Sequence, residues 1–243
     1  RPRLGQCLEA TGGAMGVGWA GREGSFGMAV DRFATRYGVT AEPDVTIDMR
    51  RQRLSLAGAW RPGLAFDEVS LQASRTVYRH DEVEGSGEIG TRFDSRGTDL
   101  RLQAQHRPWQ GLHGVWGLQV ERLDFTALGE EAFVPGTRTR SAALFALEEW
   151  RRGAWTWSAG LRREQVTVDA FADPMGGDRF GVARQRSFQP TSTSLGVMWA
   201  ASKQWVVSAS LGHTERAPAY AKSVARKVIS ATVCMVTLSS AQE

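Results

Sequence analysis

Residues 98–106 read TDLRLQAQH: Leu100, Leu102 and Ala104 share one parity, while Asp99, Arg101, Gln103 and Gln105 take the other. A period of two marks a β-strand with one apolar face. The pattern recurs in 68–78, where Val69, Leu71, Ala73 and Val77 oppose Ser70, Gln72, Ser74, Thr76 and Tyr78, with Arg75 intruding on the apolar side. It recurs in 115–121, with Trp116, Leu118 and Val120 against Gly117, Gln119 and Glu121. It appears again in 155–164, led by Trp155, Trp157, Ala159 and Leu161, and in 204–212, led by Trp205, Val207, Ala209 and Leu211.

About ten strands are predicted, over 13–20, 24–36, 45–60, 67–80, 91–106, 112–124, 138–150, 154–169, 187–200 and 204–214. Two alternate poorly. Parity changes between Met49 and Leu54, which suggests a bulge. The run SAALFALEEW (141–150) is apolar on both parities, and its outside is left unassigned.

The connections alternate in length. Short ones fall near 21–23, 61–66, 107–111, 151–153 and 201–203, and long ones near 37–44, 81–90, 125–137 and 170–186. This describes an all-β, antiparallel, up-and-down meander. In outer-membrane barrels the short turns are periplasmic and the long loops extracellular. All nine tryptophans lie within a few residues of a short turn, and none lies in a long loop. The octet WRRGAWTW (150–157) sets three of them around one turn. Indole rings collect where bilayer meets water, because the ring is apolar and its N–H needs a partner. A soluble β-sandwich binding module is the alternative, since it also alternates, but it does not explain tryptophans at one class of turn.

Composition narrows the choice. The 243 residues carry a formal charge of +4, with a mean hydropathy of −0.32. The arginines are scattered rather than clustered, which argues against nucleic acid. No apolar run is long enough for a membrane helix, and the opening RPRLGQCLEA shows no secretory signal. Strands polar at every second residue cross a membrane despite negative hydropathy. Cys7 and Cys234 are too few for a disulfide framework, and whether they pair is open. An enzyme is not expected: there is no G-x-S-x-G elbow, and Ser210 and His213 fall on opposite faces of one strand.

The candidate chemistry is HDEVE (80–84), placed at the start of an extracellular loop. His80, Asp81, Glu82 and Glu84 offer one imidazole and three carboxylates, a donor set that suits zinc. A solvated acidic loop is the plainer reading. Glu130, Glu131, Asp173 and Asp178 are loop charges able to attract cations. His106 and His113 flank a short turn and are expected to be exposed there.

The stretch HTERAPAY (213–220) resembles the segment E/F-R-A-P found within the barrel of TonB-dependent outer-membrane receptors; here it is Glu215, Arg216, Ala217 and Pro218. YRHDEVEG (78–85), TRFDSRGTDLRLQAQHRP (91–108), GVWGLQVE (114–121) and QRSFQPTSTSLGVMW (185–199) resemble the branch associated with zinc uptake. The resemblance runs from about Gly12 to Tyr220. It implies part of a 22-strand barrel in the outer membrane of a Gram-negative bacterium. It further implies a plug domain that contacts TonB, outer-membrane lipid around the wall, and a metal ion or chelate as cargo, with no resident cofactor. The expected organisation is a poorly matched segment at 1–12, a partial barrel at 13–221 and an unmatched tail at 222–243. The tail, KSVARKVISATVCMVTLSSAQE, shows no barrel alternation and has the look of a frameshift. No plug is seen, so the chain alone is not expected to transport.

Overall fold

The computed structural model describes residues 8–39, 42, 44–63, 65–129, 132, 134–173, 180–218 and 229–240, the last stretch as backbone only. The strands are β1 (Glu9–Ala20), β2 (Gly24–Gly38), β3 (Thr46–Trp60), β4 (Phe66–Val83), β5 (Ile89–His106), β6 (Leu112–Gly129), β7 (Thr137–Arg152), β8 (Trp155–Ala170), β9 (Arg184–Phe188), β10 (Thr191–Ala200), β11 (Trp205–Arg216) and β12 (Ile229–Ser240). Every pairing is antiparallel. Neighbours follow chain order from β1 to β12, except that β9 pairs only with β8, outside the main path. One continuous sheet excludes the two-sheet sandwich. Among the described residues β1 and β12 are its open edges.

Register fixes the faces. Leu71 stands opposite Leu102, Leu102 opposite Leu118, and Leu118 opposite Leu144. Farther along, Ala159 meets Leu195, which meets Leu211. These side chains form one apolar surface, with Met15, Val17, Met28 and Leu54 among its exposed members. The opposite parity carries Ser70, Gln103, Gln119, Arg162 and Ser194. A wall with apolar residues exposed on one face and polar residues on the other belongs between lipid and a wet lumen. The first face is therefore called outward and the second inner.

Pairing settles SAALFALEEW. Leu144 faces outward and is 66% exposed, while its neighbour Ala143 faces inward and is 2% exposed. The tryptophans behave as the pattern predicts: all nine are exposed, from 39% at Trp150 to 67% at Trp109. Between Trp150 and Trp155 the chain reverses at Gly153–Ala154, with Gly153 at φ +61°. A two-residue hairpin loop needs such a left-handed residue, and glycine supplies it without a Cβ clash.

Four expectations change. The strands reach farther than alternation indicates: β4 and β5 have 18 residues each, leaving only Glu84–Glu88 between them. About ten residues cross the hydrocarbon, so the long-loop ends stand outside it. There charge is tolerated on both faces and the apolar signal ends. There is no bulge in β3, whose register is unbroken from Thr46 to Trp60 against both neighbours. Met49 lies on the inner parity beyond the lipid, and Leu54 on the outward parity within it. The predicted strand 187–200 is two strands, because Pro190 offers no N–H to a ladder and ends β9. Within the tail, Ile229–Ser240 is β12, paired with β11 along its whole length. Isoleucine, valine and threonine favour extended backbone there without alternation.

Buried residues are few and gather toward the long-loop end. Phe93, Ala127 and Ala132 form one cluster against Phe125 and Phe180. Val166, Val168 and Phe188 form another, with Ala217 packed on it.

Candidate functional site

Residues 80–82 lie within β4 rather than at the start of a loop. The strand's alternation divides them. His80 and Glu82 share the inner face with Tyr78, and Asp81 faces outward. Asp81 is engaged there by Arg92, whose Nε lies 2.6 Å from its Oδ1, and Arg79 Nε donates to Asp94 Oδ1 at 2.7 Å. These ion pairs put this height of the wall beyond the hydrocarbon. Glu84 lies past the end of β4, where its carbonyl accepts from Gly87 N at 2.8 Å.

On the inner face, His80 Nδ1 is 3.0 Å from Tyr78 Oη. The imidazole stacks on Phe93, centroid to centroid 4.4 Å and 28° from parallel. Its Nε2 is 3.9 Å from Glu82 Oε1. Burial holds His80 below the ordinary histidine value against the opposing charge of Asp81. Burial, with Tyr37 adding, pushes the Tyr78 phenol up. At neutral pH the pair is therefore a neutral imidazole beside a protonated phenol. A neutral imidazole is the form that binds metal. Alternation in the sequence already sets His80 on the face of Tyr78, whereas only strand pairing brings Phe93 opposite.

Among the described residues no three His, Cys, Asp or Glu side chains converge to hold a metal ion. The wall offers two donors, His80 and Glu82, and further ligands would come from cargo, from water or from another element. Glu130, Glu131 and Asp178 lie outside the described residues, as does Cys7. Asp173 follows the end of β8.

Two histidines at the short-turn end are less exposed than expected. The His106 side chain is 15% exposed, its Nε2 lying 3.0 Å from Glu148 Oε2, while Trp116 Nε1 donates to Glu148 Oε1 at 2.6 Å. His113 is half-buried with Glu149 Oε1 3.6 Å from its Nε2. It lines an inner-face hollow of about 420 Å³ with Ser70, Gln103, Gln105, Leu147 and Glu149.

The segment 215–218 is built into the wall. Glu215 Oε2 accepts a hydrogen bond from Thr191 N at 2.8 Å, where β10 begins. Its backbone N and O both lie 3.4 Å from Ser192 Oγ. Arg216 ends β11 on the inner parity and is exposed. Ala217 packs on the Val166–Val168–Phe188 cluster and Pro218 is buried.

Solved structures share this architecture. The copper transporter OprC superposes with a TM-score of 0.72 at 17% identity, over 88% of this chain and 39% of that one. The FrpB iron transporter of Neisseria meningitidis, in its apoprotein form, gives 0.70 at 11% identity, over 87% and 36%. The alcaligin outer-membrane receptor FauA of Bordetella pertussis gives 0.69 at 12% identity, over 96% and 40%. This chain thus spans about two fifths of each. The family model described as "TonB dependent receptor-like, beta-barrel" matches residues 10–231. With its lipid-facing wall and tryptophan rim, the chain belongs to the TonB-dependent receptor β-barrel family, a family of outer-membrane receptors of Gram-negative bacteria rather than of enzymes.

Proposed function

We propose that this wall serves a TonB-dependent receptor that takes up a metal ion or a metal chelate, and that the cargo is zinc. The observation that carries the reading is the His80–Glu82 pair, on the inner face near the long-loop end and backed by Tyr78 and Phe93. A neutral imidazole nitrogen and a carboxylate oxygen suit Zn²⁺. Solved structures of the same fold include a copper transporter, an iron transporter and a ferric citrate transporter, which supports metal uptake in general. TonB would act through a plug seated against the inner face, beside polar groups such as those of the His113 hollow. Among the described residues the sheet is open at β1 and β12, and an edge strand in lipid leaves backbone groups unpaired at several kcal/mol each. Transport therefore belongs to the closed barrel.

The test is calorimetry on the detergent-solubilised chain with Zn²⁺, Cu²⁺ and ferric citrate as separate titrants, repeated with His80→Ala and Glu82→Ala. Zinc heat that either substitution removes supports the reading. Binding of ferric citrate alone, or zinc binding indifferent to both changes, overturns it.

A further inference from the structure

His106 closes β5 at the short-turn rim, on the outward parity of Leu100, Leu102 and Ala104. Gln105 stands opposite Val115, and Gly114 opposite Glu148, so Gly114 of β6 lies between His106 of β5 and Glu148 of β7. The Glu148 carboxylate bridges that middle strand. Its Oε2 is 3.0 Å from His106 Nε2, and its Oε1 accepts from Trp116 Nε1 at 2.6 Å. Glycine leaves the room for it: a Cβ at position 114 would overlap Glu148 Oε2 and the Leu147 carbonyl oxygen.

The partners of the imidazole decide its protonation. His106 Nδ1 lies 2.8 Å from the Arg107 carbonyl oxygen, which can only accept. Its Nε2 faces a carboxylate that, when ionised, can also only accept. A neutral imidazole has one N–H and would turn a lone pair toward one of these two oxygens. An imidazolium has two and satisfies both. A proton held on Glu148 instead would need a carboxyl group un-ionised far above its ordinary value of about 4.3.

The remaining charges nearby are already paired. Arg107 Nε is 3.2 Å from Asp67 Oδ1, and Arg61 Nε is 3.2 Å from Glu68 Oε2. His113 and Glu149 pair on the inner parity. On the outward side, β4 offers Phe66 opposite His106 and β6 offers Gly114 and Trp116, none of them charged. The imidazole rests against the Trp116 ring, 5.8 Å between centroids. Glu148 is therefore the one carboxylate, among the described residues, that faces the ring directly.

We infer that His106 and Glu148 form a pH-sensitive clasp across β5, β6 and β7 at the short-turn rim, held by an imidazolium at neutral pH and released when its proton is lost. The clasp lies on the outward face, away from His80 and Glu82, so the fate of the zinc titration does not bear on it. Its contribution to stability is fully present below the ordinary histidine value of about 6.5 and falls away as pH rises through the value His106 holds in the folded chain.

The test is ¹⁵N-histidine NMR of the full chain in detergent micelles, with the His106 signals assigned by their loss in His106→Gln. At about pH 7.5, where a free imidazole is mostly neutral, both His106 nitrogens are expected to carry protons. Glu148→Gln is isosteric and reverses the polarity of one bond: its amide can donate to Nε2 while its carbonyl still accepts from Trp116. That variant should leave only Nδ1 protonated and lower the His106 titration midpoint by about one pH unit or more, a tenfold loss of proton affinity. Gly114→Ala keeps the carboxylate but displaces it, and should lower the midpoint as well. The titrations of His80 and His213 should be unchanged in both, which guards against a folding defect. Melting from about pH 6.5 to about pH 9 should show a steeper alkaline loss in the parent than in Glu148→Gln. A neutral His106 at about pH 7.5 in the parent, equal midpoints in parent and Glu148→Gln, or coincident alkaline melting profiles would each overturn the clasp.

Discussion

Trp155 and Trp199 face each other across the β8–β10 pair, their ring centroids 5.5 Å apart and their planes 10° from parallel. Trp157 extends the stack at 6.0 Å from Trp155. Three indoles from two strands thus form one exposed aromatic surface at the short-turn rim. In water this would be a sticky patch. At a bilayer interface it is an anchor.

Removing one ring tests that anchor. Trp199→Ala is expected to lower the unfolding free energy in lipid vesicles by about 1 kcal/mol from the lost ring contact alone. Trp155→Ala should cost more, because it abandons both stacking partners. Urea unfolding of the two variants gives the order, and equal effects would argue against a continuous stack.

On the inner face, Gly117 lies under the ring of Phe145, on which Arg101 rests with its Cζ 4.8 Å from the centroid. A Cβ at position 117 would collide with that ring and come within 2.8 Å of the Leu102 carbonyl oxygen. Gly117→Ala should therefore destabilise by about 1–3 kcal/mol, the usual cost of overpacking. Gly117→Ala/Phe145→Leu should regain part of it. A neutral Gly117→Ala, measured by the same unfolding assay, would mean the ring moves freely.

Whether Asp81 takes part in metal binding separates the strand from a loop. In β4 it faces away from His80 and Glu82 and is engaged by Arg92. Asp81→Ala is therefore expected to leave any zinc affinity within about twofold, whereas His80→Ala or Glu82→Ala should lower it by about tenfold or more, one lost ligand being worth at least 1.4 kcal/mol. Parallel titrations decide it, and an equal loss at Asp81 would mean that the segment leaves the strand geometry when metal binds.

The His80 environment also gives a pH dependence. Burial lowers its pKa in the folded chain, so the unfolded chain takes up the proton more readily. The contribution is fully present above the ordinary histidine value of about 6.5 and falls away as pH drops below it. Melting measured from about pH 7.5 to about pH 5 should show a steeper acid loss in the parent than in His80→Gln. Coincident profiles would mean that the histidine is solvated.

The apolar parity of β5, β6, β8 and β11 is legible in the chain because those strands border lipid on one side and water on the other. Register then fixes the faces without ambiguity, since a slip of one residue would turn Leu100, Leu102 and Ala104 inward. Legibility fails where the wall leaves the bilayer. There Ile47 and Met49 follow the inner parity and Leu54 the outward one, which imitates a bulge. Around 80–82 both faces are polar, so alternation gives no signal, and HDEVE looks like a loop. Once the strand is known to continue, the same alternation divides Asp81 from His80 and Glu82. The approach of Phe93 to His80 depends on pairing between strands, which no single stretch of sequence displays.

The central claim is that alternate residues of this sheet face lipid. Single-cysteine variants in a background free of Cys7 and Cys234, spin-labelled in turn at Leu100, Arg101, Leu102, Gln103 and Ala104 and placed in lipid vesicles, test it directly. Oxygen, which concentrates in hydrocarbon, should reach the labels at 100, 102 and 104 far better than those at 101 and 103. Uniform accessibility, or the opposite alternation, would contradict the wall and the membrane placement together.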